Sequence, residues 1–315
     1  MPFDNILEFV EGPTGLQWPL LPVQRFILKL HYGIELDAFE PRIPIYDRFQ
    51  ERLRYTLSEF DYLNYLYGEG RCNYADQSTF PRTGLVLAAG RRTGKTVLAE
   101  LIASYTVIQM LQMGNPHEVF GFNSPTHHIV TACYIGLNRE MRGIFLSGVS
   151  DYVARCPDLQ EALVPGQSIR EIRFMSPAGR RRGVAHGNLA ILALDPRPRI
   201  HASARAMLIL DELAHMPEEQ EILNANLPTV HGLGRYTIMS TPRRTEGAFY
   251  NAFRRAMDSH PDSPLALQIP TWEVLPPIMG SFLRQRFEEN PTQFNVEFGA
   301  QWPLTNQEIH IEIRV

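Results

Sequence analysis

The chain has 315 residues, 44% of them hydrophobic and 20% charged, with a formal net charge of −4. This composition excludes a disordered chain, and the length allows one large domain or two small ones. The sequence contains no apolar run of about 18 residues, so a membrane span is not expected. The first residues, MPFDNILEFVEG, carry acids where a secretory signal carries basic residues. We therefore expect an intracellular protein whose three widely spaced cysteines are ordinary thiols.

The first part of the chain shows helical patterns. Residues 18–32 have apolar positions at helical spacing, and Gly33 follows them as a stop signal. Residues 43–68 mix aromatic and acidic side chains and are predicted to be helical. Residues 69–82 are rich in polar and turn-forming residues and are predicted to be a loop.

From residue 83 onward, short apolar runs alternate with helical patterns. The predicted strands are 83–89, 128–134, 207–210 and 235–240, and the predicted helices are 95–113, 138–155, 245–258 and 279–299. Residues 168–174 and 188–194, joined by SPAGRRRG, predict a hairpin or two edge strands. This alternation predicts an α/β fold with a mainly parallel sheet covered by helices. Ligands bind beyond the carboxyl ends of such strands, so three strand-end motifs are expected to converge there.

The first strand-end motif is a phosphate-binding loop. Its residues are Ala89, Gly90, Arg91, Arg92, Thr93, Gly94, Lys95 and Thr96. They fit GxxxxGK[ST] except that Ala89 replaces the first glycine, and an apolar strand and a helix flank them as the motif requires. Gly94 would let the backbone N–H groups face phosphates, Lys95 would bridge the β- and γ-phosphates of ATP, and Thr96 would ligate Mg²⁺. The guanidinium groups of Arg91 and Arg92 are candidates for direct phosphate contacts.

The second motif is an acidic pair at the end of the apolar run MLIL. Asp211 is predicted to hold Mg²⁺ through its water shell, and Glu212 is predicted to be the general base that polarises the attacking water. The pattern alone also fits a strand that runs into a helix cap. Combined with the phosphate loop, it favours an ATPase that carries its own base.

The third motif ends the next strand. Ser240 and Thr241 supply hydroxyls that could sense the γ-phosphate, and Pro242 forces the chain to turn. Two arginines before the acidic pair, Arg199 and Arg205, are candidates to reach a neighbouring subunit's nucleotide as an arginine finger. A surface salt bridge is the alternative role for either one.

Together, these residues resemble the large terminase subunit of tailed bacteriophages. The similar segments are GRRTGKT at 90–96, LILDELAHM at 208–216, MSTPRRTEGAFYNAF at 239–253 and NPTQFNVEFGAQWPL at 290–304. Gln24, in the segment Pro-Val-Gln at 22–24, is similar to the family's adenine-binding glutamine. The resemblance covers roughly residues 18–304.

The resemblance implies a P-loop ATPase fold of the additional-strand, RecA-like type. It implies ATP and Mg²⁺ as cofactors and ATP-driven translocation of double-stranded viral DNA into a procapsid. The implied partners are this DNA, the portal protein, the small terminase subunit and further copies of the chain in a ring of five. The implied location is the host cytoplasm, with transient docking on the procapsid and no membrane.

By residue, the resemblance makes Arg91 the phosphate-loop arginine, which acts in catalysis with Glu212, and makes Ser240 to Pro242 the coupling motif. The trans-acting arginine stays open between Arg199 and Arg205.

The resemblance also divides the chain. Residues 1–82 would be a helical, adenine-binding region, 83–304 the ATPase core, and 305–315 the start of a linker. Large terminases carry a further nuclease domain, and we expect no nuclease activity from the present residues. Two other functions stay open. One is a helicase-like or other nucleic-acid translocase, and the other is a nucleotide-binding switch or structural protein without useful turnover.

Overall fold

The structure is a computed structural model, and it describes residues 3–74, 83–122, 128–166, 168–197, 204–258 and 263–303. The predicted linker at 305–315 and the candidate finger Arg199 lie outside the described residues. The predicted domain division stays a prediction.

Helices and strands alternate along most of the chain. The helices are α1 (Ile6–Glu11), α2 (Pro22–Tyr32), α3 (Glu59–Gly68), α4 (Lys95–Gln112), α5 (Pro116–Val119), α6 (Arg139–Arg155), α7 (Pro157–Ala162), α8 (Pro177–Arg181), α9 (Glu219–Asn226), α10 (Ala248–Met257), α11 (Thr271–Val274), α12 (Gly280–Glu289) and α13 (Pro291–Glu297). The strands are β1 (Ile43–Tyr46), β2 (Leu53–Leu57), β3 (Gly84–Ala89), β4 (Val130–Ile135), β5 (Glu171–Phe174), β6 (Leu189–Leu194), β7 (Ala204–Asp211), β8 (Val230–Ser240) and β9 (Leu265–Ile269).

The chain forms two compact units, and the first comprises Met1–Leu20 and Lys95–Ile238. Its strands lie in the order β5-β6-β4-β7-β8. β4 pairs in parallel with β6 and β7, and β5 is antiparallel to β6. Strands β4 and β7 are apolar and buried along almost their whole length, as expected for strands covered on both faces. Helix α4 contacts these strands and α6.

The second unit comprises Leu21–Gly94 and Met239–Val315. Its strands β3 and β9 pair in parallel, from Leu85 opposite Leu265 to Ala89 opposite Ile269. Phe294, Phe298 and Leu283, from the region of α12 and α13, form a small buried cluster in this unit. The pairs β4–β6, β4–β7 and β3–β9 are parallel and helices flank these strands, so the predicted α/β class with a mainly parallel arrangement of strands is confirmed.

The helix predicted over 43–68 is wrong in its first half. Residues 43–57 contain β1 and β2, which pair antiparallel, and only α3 is helical. Pro44 lies inside the segment and disfavours a helix, while Ile43 and Ile45 alternate with more exposed residues so that both side chains point inward. The alternation of buried and more exposed residues therefore determines the secondary structure of this segment, and its aromatic and acidic composition does not.

Two other predictions change in detail. The helix predicted over 279–299 is divided into α12 and α13, because Asn290 caps α13 by accepting a hydrogen bond from the Gln293 N–H and Pro291 occupies its first position. The connection SPAGRRRG contains α8 in place of a simple turn, although β5 and β6 are antiparallel as predicted.

Two bulk features accompany the fold. Within the described part of the chain, the helices are too short or too polar to cross a membrane. Cys72, Cys133 and Cys156 are buried free thiols, and burial raises the pKa of Cys133 to about 11, which keeps it protonated at neutral pH.

Candidate nucleotide-binding site

The phosphate loop leaves β3 at Ala89. This residue is still paired in the strand with Ile269, so an extended backbone suffices and glycine is not required there. The residue at which neighbouring atoms come too close for a side chain is Gly90 instead. A Cβ atom at Gly90 would lie 2.3 Å from Thr271 Oγ1 and 2.5 Å from the Phe298 carbonyl oxygen. Alanine in place of the first glycine of the motif is therefore compatible with the conformation of the loop.

Inside the loop the chain curls through two left-handed residues. Arg92 has φ 65° and Gly94 has φ 82°. The Thr93 hydroxyl donates to the Gly90 carbonyl at 2.9 Å and closes the curl. Such a succession of bent peptide units turns N–H groups toward one point, which is the geometry that binds phosphate oxygens.

The two loop arginines contact the C-terminal helices of their own unit. Arg91 forms an ion pair with Glu297, with 3.1 Å between Nη2 and Oε1, and its side chain is 55% exposed. The guanidinium of Arg92 lies over the ring of Phe282 at 4.8 Å. Both line a cavity of about 650 Å³ together with α12 and α13 residues. Their predicted phosphate contacts stay predictions.

Lys95 and Glu212 form an ion pair in the first unit. The distance from Lys95 Nζ to Glu212 Oε1 is 3.2 Å, and the lysine side chain is only 6% exposed. The other Glu212 oxygen lies 3.9 Å from His215 Nε2. Glu212 itself has a left-handed backbone, with φ 61°. The structure thus brings the predicted base to the predicted phosphate-binding lysine.

Asp211 ends β7 and is fully buried. Its Oδ2 accepts hydrogen bonds from the Tyr134 hydroxyl at 3.0 Å and the Thr96 hydroxyl at 3.3 Å. Its Oδ1 is buried and has no hydrogen-bond partner among the described residues. Burial and the neighbouring charge of Glu212 raise the pKa of Asp211, whereas Lys95 opposes that shift.

These contacts fit the requirements of a magnesium site. An unpaired carboxylate oxygen in the interior is unfavourable unless it acquires a cation or a water. Mg²⁺ prefers oxygen ligands and keeps several of its waters, so the Thr96 hydroxyl and Asp211 Oδ1 match it. Thr96 and Asp211 are therefore the residues that would hold the ion.

The sequence patterns missed two residues beside Asp211. Tyr134 is the fifth residue of β4, and its ring stacks on Phe145 with 4.0 Å between centroids. A tyrosine near the end of a mainly apolar strand was the available signal. Glu100 lies one turn beyond Thr96 in α4, where a Cβ atom at Gly148 would come within 2.5 Å of its carboxylate. Burial raises the pKa of Glu100 to about 8.

The third strand end lies in the second unit. Ser240 is the last residue of β8, and Ser240, Thr241 and Pro242 are buried. The Ser240 hydroxyl donates to the Thr241 carbonyl at 3.1 Å. The strand ends at Ser240 as predicted, and the turn at Pro242 and the coupling role stay predictions.

The candidate finger Arg205 lies near the start of β7 and has no exposed surface. Its Nη1 donates to Asn226 Oδ1 at 2.8 Å within the same unit. A trans-acting finger needs an accessible guanidinium, and Arg205 does not supply one in this conformation. The alternative of a surface salt bridge is equally inconsistent with its burial.

Gln24 lies in the first turn of α2 and is 6% exposed. Its Oε1 accepts from the Leu21 N–H at 3.2 Å, and its Nε2 donates to the Thr93 carbonyl at 3.2 Å. The structure thus places Gln24 against the phosphate loop. Its predicted contact with adenine stays a prediction.

Of three comparisons with known proteins, the one with solved structures found similar chains. No protein-family model matches the chain, and no curated protein sequence matches it. Among solved structures, the large terminase ATPase domain of Thermus phage P74-26 is similar at a TM-score of 0.52 and 20% identity, over 71% of this chain and 90% of that one. The large terminase of bacteriophage HK97 is similar at 0.51 and 16%, over 70% of this chain and 47% of that one.

A third structure was determined with a nucleotide. The large terminase of a thermophilic bacteriophage in complex with ADP is similar at a TM-score of 0.50 and 10% identity, over 71% of this chain and 49% of that one. The chain therefore has the α/β fold of P-loop nucleotide hydrolases. More particularly, its structural neighbours are large terminase ATPase domains from several phages.

Proposed function

We propose that this chain hydrolyses ATP and thereby drives the translocation of double-stranded viral DNA into a procapsid, as the motor domain of a large terminase. The observation that carries the ATPase part is the set formed by Lys95, Thr96, Asp211 and Glu212 in one compact unit. The fold of the terminase ATPase domains and the ADP complex of the thermophilic phage's protein support the same proposal.

Phosphate binding is the first task of the site. The curled backbone of residues 90–94 offers N–H groups, and Lys95 follows at the start of α4, where the helix dipole also favours an anion. Lys95 already pairs with a carboxylate at 3.2 Å. A phosphate oxygen competes for the same ammonium group, so nucleotide binding would release Glu212 from this ion pair.

Proton transfer is the second task. Once released from Lys95, Glu212 is the carboxylate available to accept the proton of a water that attacks the γ-phosphorus. It lies beside Asp211 and is partly exposed, at 20%, so water can reach it. Mg²⁺, when bound by Thr96 and Asp211, supplies positive charge that stabilises the transferring phosphoryl group. Tyr134 and Thr96 keep the Asp211 side chain in one orientation through their hydrogen bonds.

Steady-state ATP hydrolysis with and without Mg²⁺ tests the ATPase proposal. Wild type should hydrolyse ATP only with the metal, and Lys95→Ala should reduce kcat/KM by at least about 100-fold because it removes the charge on the phosphates. Arg197→Ala, at an exposed cation, is the matched control. Binding of ATP without turnover by wild type would favour a nucleotide-binding switch instead.

The partners follow from the same proposal. The double-stranded DNA, the portal protein and the small terminase subunit would meet a ring of five copies, docked on the procapsid in the host cytoplasm. Hydrolysis measured with and without portal-bearing procapsids and double-stranded DNA tests this part. We expect stimulation that requires both. Stimulation by DNA alone would favour a helicase-like or other translocase, and no response would favour a general ATPase.

A further inference from the structure

The hydroxyl group of Thr271 contacts the phosphate loop. Thr271 is the first residue of α11, follows β9 with Pro270 between them, and has no exposed surface. Its Oγ1 donates to the Arg91 carbonyl oxygen at 2.8 Å, across 180 residues of chain. Its own N–H donates to the Phe298 carbonyl at 2.7 Å. Thr271 therefore connects the loop to the residue that follows α13, within the second unit.

Arg91 is held at both of its backbone groups. Its N–H donates to the Glu297 carbonyl at 2.7 Å, and its carbonyl accepts from the Thr271 hydroxyl. Directly before it, the Gly90 N–H donates to the Ile269 carbonyl at 3.0 Å. The backbone at the start of the loop is therefore restrained by neighbours in its own unit, although the Arg91 side chain is more than half exposed.

A buried ion pair fixes the helix that carries Thr271. Glu273, two residues further along α11, accepts from both terminal nitrogens of Arg71, at 2.8 and 2.6 Å. The hydroxyl of Tyr62, in α3, donates to the same carboxylate at 2.6 Å. A two-point contact of this kind fixes orientation as well as position. The Thr271 hydroxyl is therefore presented to the loop from a short helix that has buried partners of its own.

The bond from Thr271 determines the direction of one peptide group in the loop. In a trans peptide the carbonyl and the N–H point in opposite directions, because the group is planar. A carbonyl of Arg91 that points to Thr271 therefore turns the Arg92 N–H away from α11. Anion-binding loops need N–H groups with fixed directions, and the left-handed backbones of Arg92 and Gly94 continue the curl from this peptide.

We propose that Thr271 is a positioning residue for the phosphate loop, and that its hydroxyl fixes the peptide between Arg91 and Arg92 so that the Arg92 N–H is directed to bound phosphate. This inference rests on the proposed ATPase function, because the phosphate belongs to the nucleotide. Its structural part, that the Thr271 hydroxyl restrains residues 90–94, can be measured on the protein alone.

The first measurement is hydrogen–deuterium exchange of the protein without nucleotide, for wild type, Thr271→Val and Thr271→Ser. Valine has nearly the shape of threonine and cannot donate, whereas serine keeps the hydroxyl. We expect the amides of residues 90–94 to exchange several-fold faster in Thr271→Val and within about twofold of wild type in Thr271→Ser. Unchanged exchange in Thr271→Val would overturn the proposal. Equal acceleration in α6, which lies in the other unit, would show a general loss of structure and would also overturn it.

The second measurement is calorimetric binding of pyrophosphate and ADP with Mg²⁺. The loss of one buried hydrogen bond that orients the loop should weaken both ligands about 5- to 10-fold in Thr271→Val. Thr271→Ser should bind both within about twofold of wild type, because the donor is retained. Wild-type affinity of Thr271→Val for pyrophosphate, or an equal loss in Thr271→Ser, would overturn the role of the hydroxyl.

Thr106→Val is the matched control. Thr106 is also buried, and its Oγ1 donates to the Ile102 carbonyl at 2.8 Å inside α4. The variant loses the same kind of bond and should leave exchange at 90–94 and both affinities unchanged. The same effects in this variant would count against a specific role of Thr271. If wild type neither binds pyrophosphate nor hydrolyses ATP, the proposed function fails, and exchange at 90–94 still decides whether Thr271 restrains the loop.

Discussion

The acidic end of β7 and the phosphate loop are built in different ways. Around Asp211, charged and polar side chains determine the site, through an ion pair at 3.2 Å and two hydroxyl donors to one carboxylate oxygen. Around Gly90 and Gly94, backbone shape determines the loop, because backbone atoms leave no room for a Cβ atom at Gly90 and Gly94 has a left-handed conformation. The difference suggests that conservative polar changes impair the first region, whereas the second is impaired by added volume.

The largest expected effect is at the acidic end. Glu212→Gln keeps the shape of the side chain and removes the base, so kcat for ATP should fall by about 100-fold or more with nucleotide affinity largely retained. Glu221→Gln, at an exposed residue of α9, is the matched control. Steady-state kinetics with an ADP binding assay checks this, and an unchanged kcat would remove Glu212 from the proposed mechanism.

A single methyl group should harm the loop. Gly90→Ala places a Cβ atom 2.5 Å from the Phe298 carbonyl oxygen, so neighbouring backbone has to shift, and the free energy of unfolding should fall by about 1–3 kcal/mol. Gly68→Ala, at the end of α3 with no atom within 4 Å of the new Cβ, is the control and should change it little. Urea denaturation measures both. Equal stability of the two variants would contradict the close contact at Gly90.

A variant of Glu100 tests whether a buried carboxyl group near Asp211 affects stability without taking part in the reaction. Burial raises its pKa from 4.5 to about 8, so the folded protein binds this proton more tightly than the unfolded chain does. Between these two values the unfolded chain ionises first, and the free energy of unfolding should therefore decrease as the pH rises from about 4.5 to 8. Glu100→Gln should weaken this decrease and stabilise the protein at pH 8 by about 1–2 kcal/mol. Thermal unfolding across this range measures it, and parallel curves for both proteins would contradict it.

The smallest expected effect on stability is at the exposed ion pair of the loop. Arg91→Ala and Glu297→Gln should each change the free energy of unfolding by less than about 1 kcal/mol, because solvent screens the pair. Their effects on hydrolysis should differ. If Arg91 also serves the phosphates, its loss should reduce kcat/KM, while Glu297→Gln should leave it unchanged. Equal kinetics for both variants would restrict Arg91 to its contact with Glu297.

The sequence predicted the parts of the site that depend on local pattern. An apolar run, a glycine loop and a following helix identified Lys95 and Thr96, and a second apolar run identified Asp211 and Glu212. Tyr134 could not be predicted in the same way, because its role depends on β4 lying beside β7 in the sheet. Which strands lie side by side in a sheet depends on tertiary structure. The spacing of residues along the chain does not reveal these neighbours.

The same limit applies to Arg205 and to residues 43–57. Residue type made Arg205 a candidate for an exposed role, yet its position in a buried strand beside Asn226 decides its surroundings. In residues 43–57 the aromatic and acidic composition suggested a helix. The alternation of Ile43 and Ile45, together with Pro44, correctly indicated a strand. In a long segment these three residues counted for less than the overall composition.

The left-handed backbone of Glu212 has a consequence for the evolution of the protein in the laboratory. Glutamate at φ 61° is less favourable than glycine or asparagine by roughly 1 kcal/mol. A library at position 212 that is selected only for heat resistance should therefore enrich glycine and asparagine, and one selected for ATP turnover should retain glutamate. The two selections would favour different residues at position 212, because stability and ATPase activity have opposite requirements there.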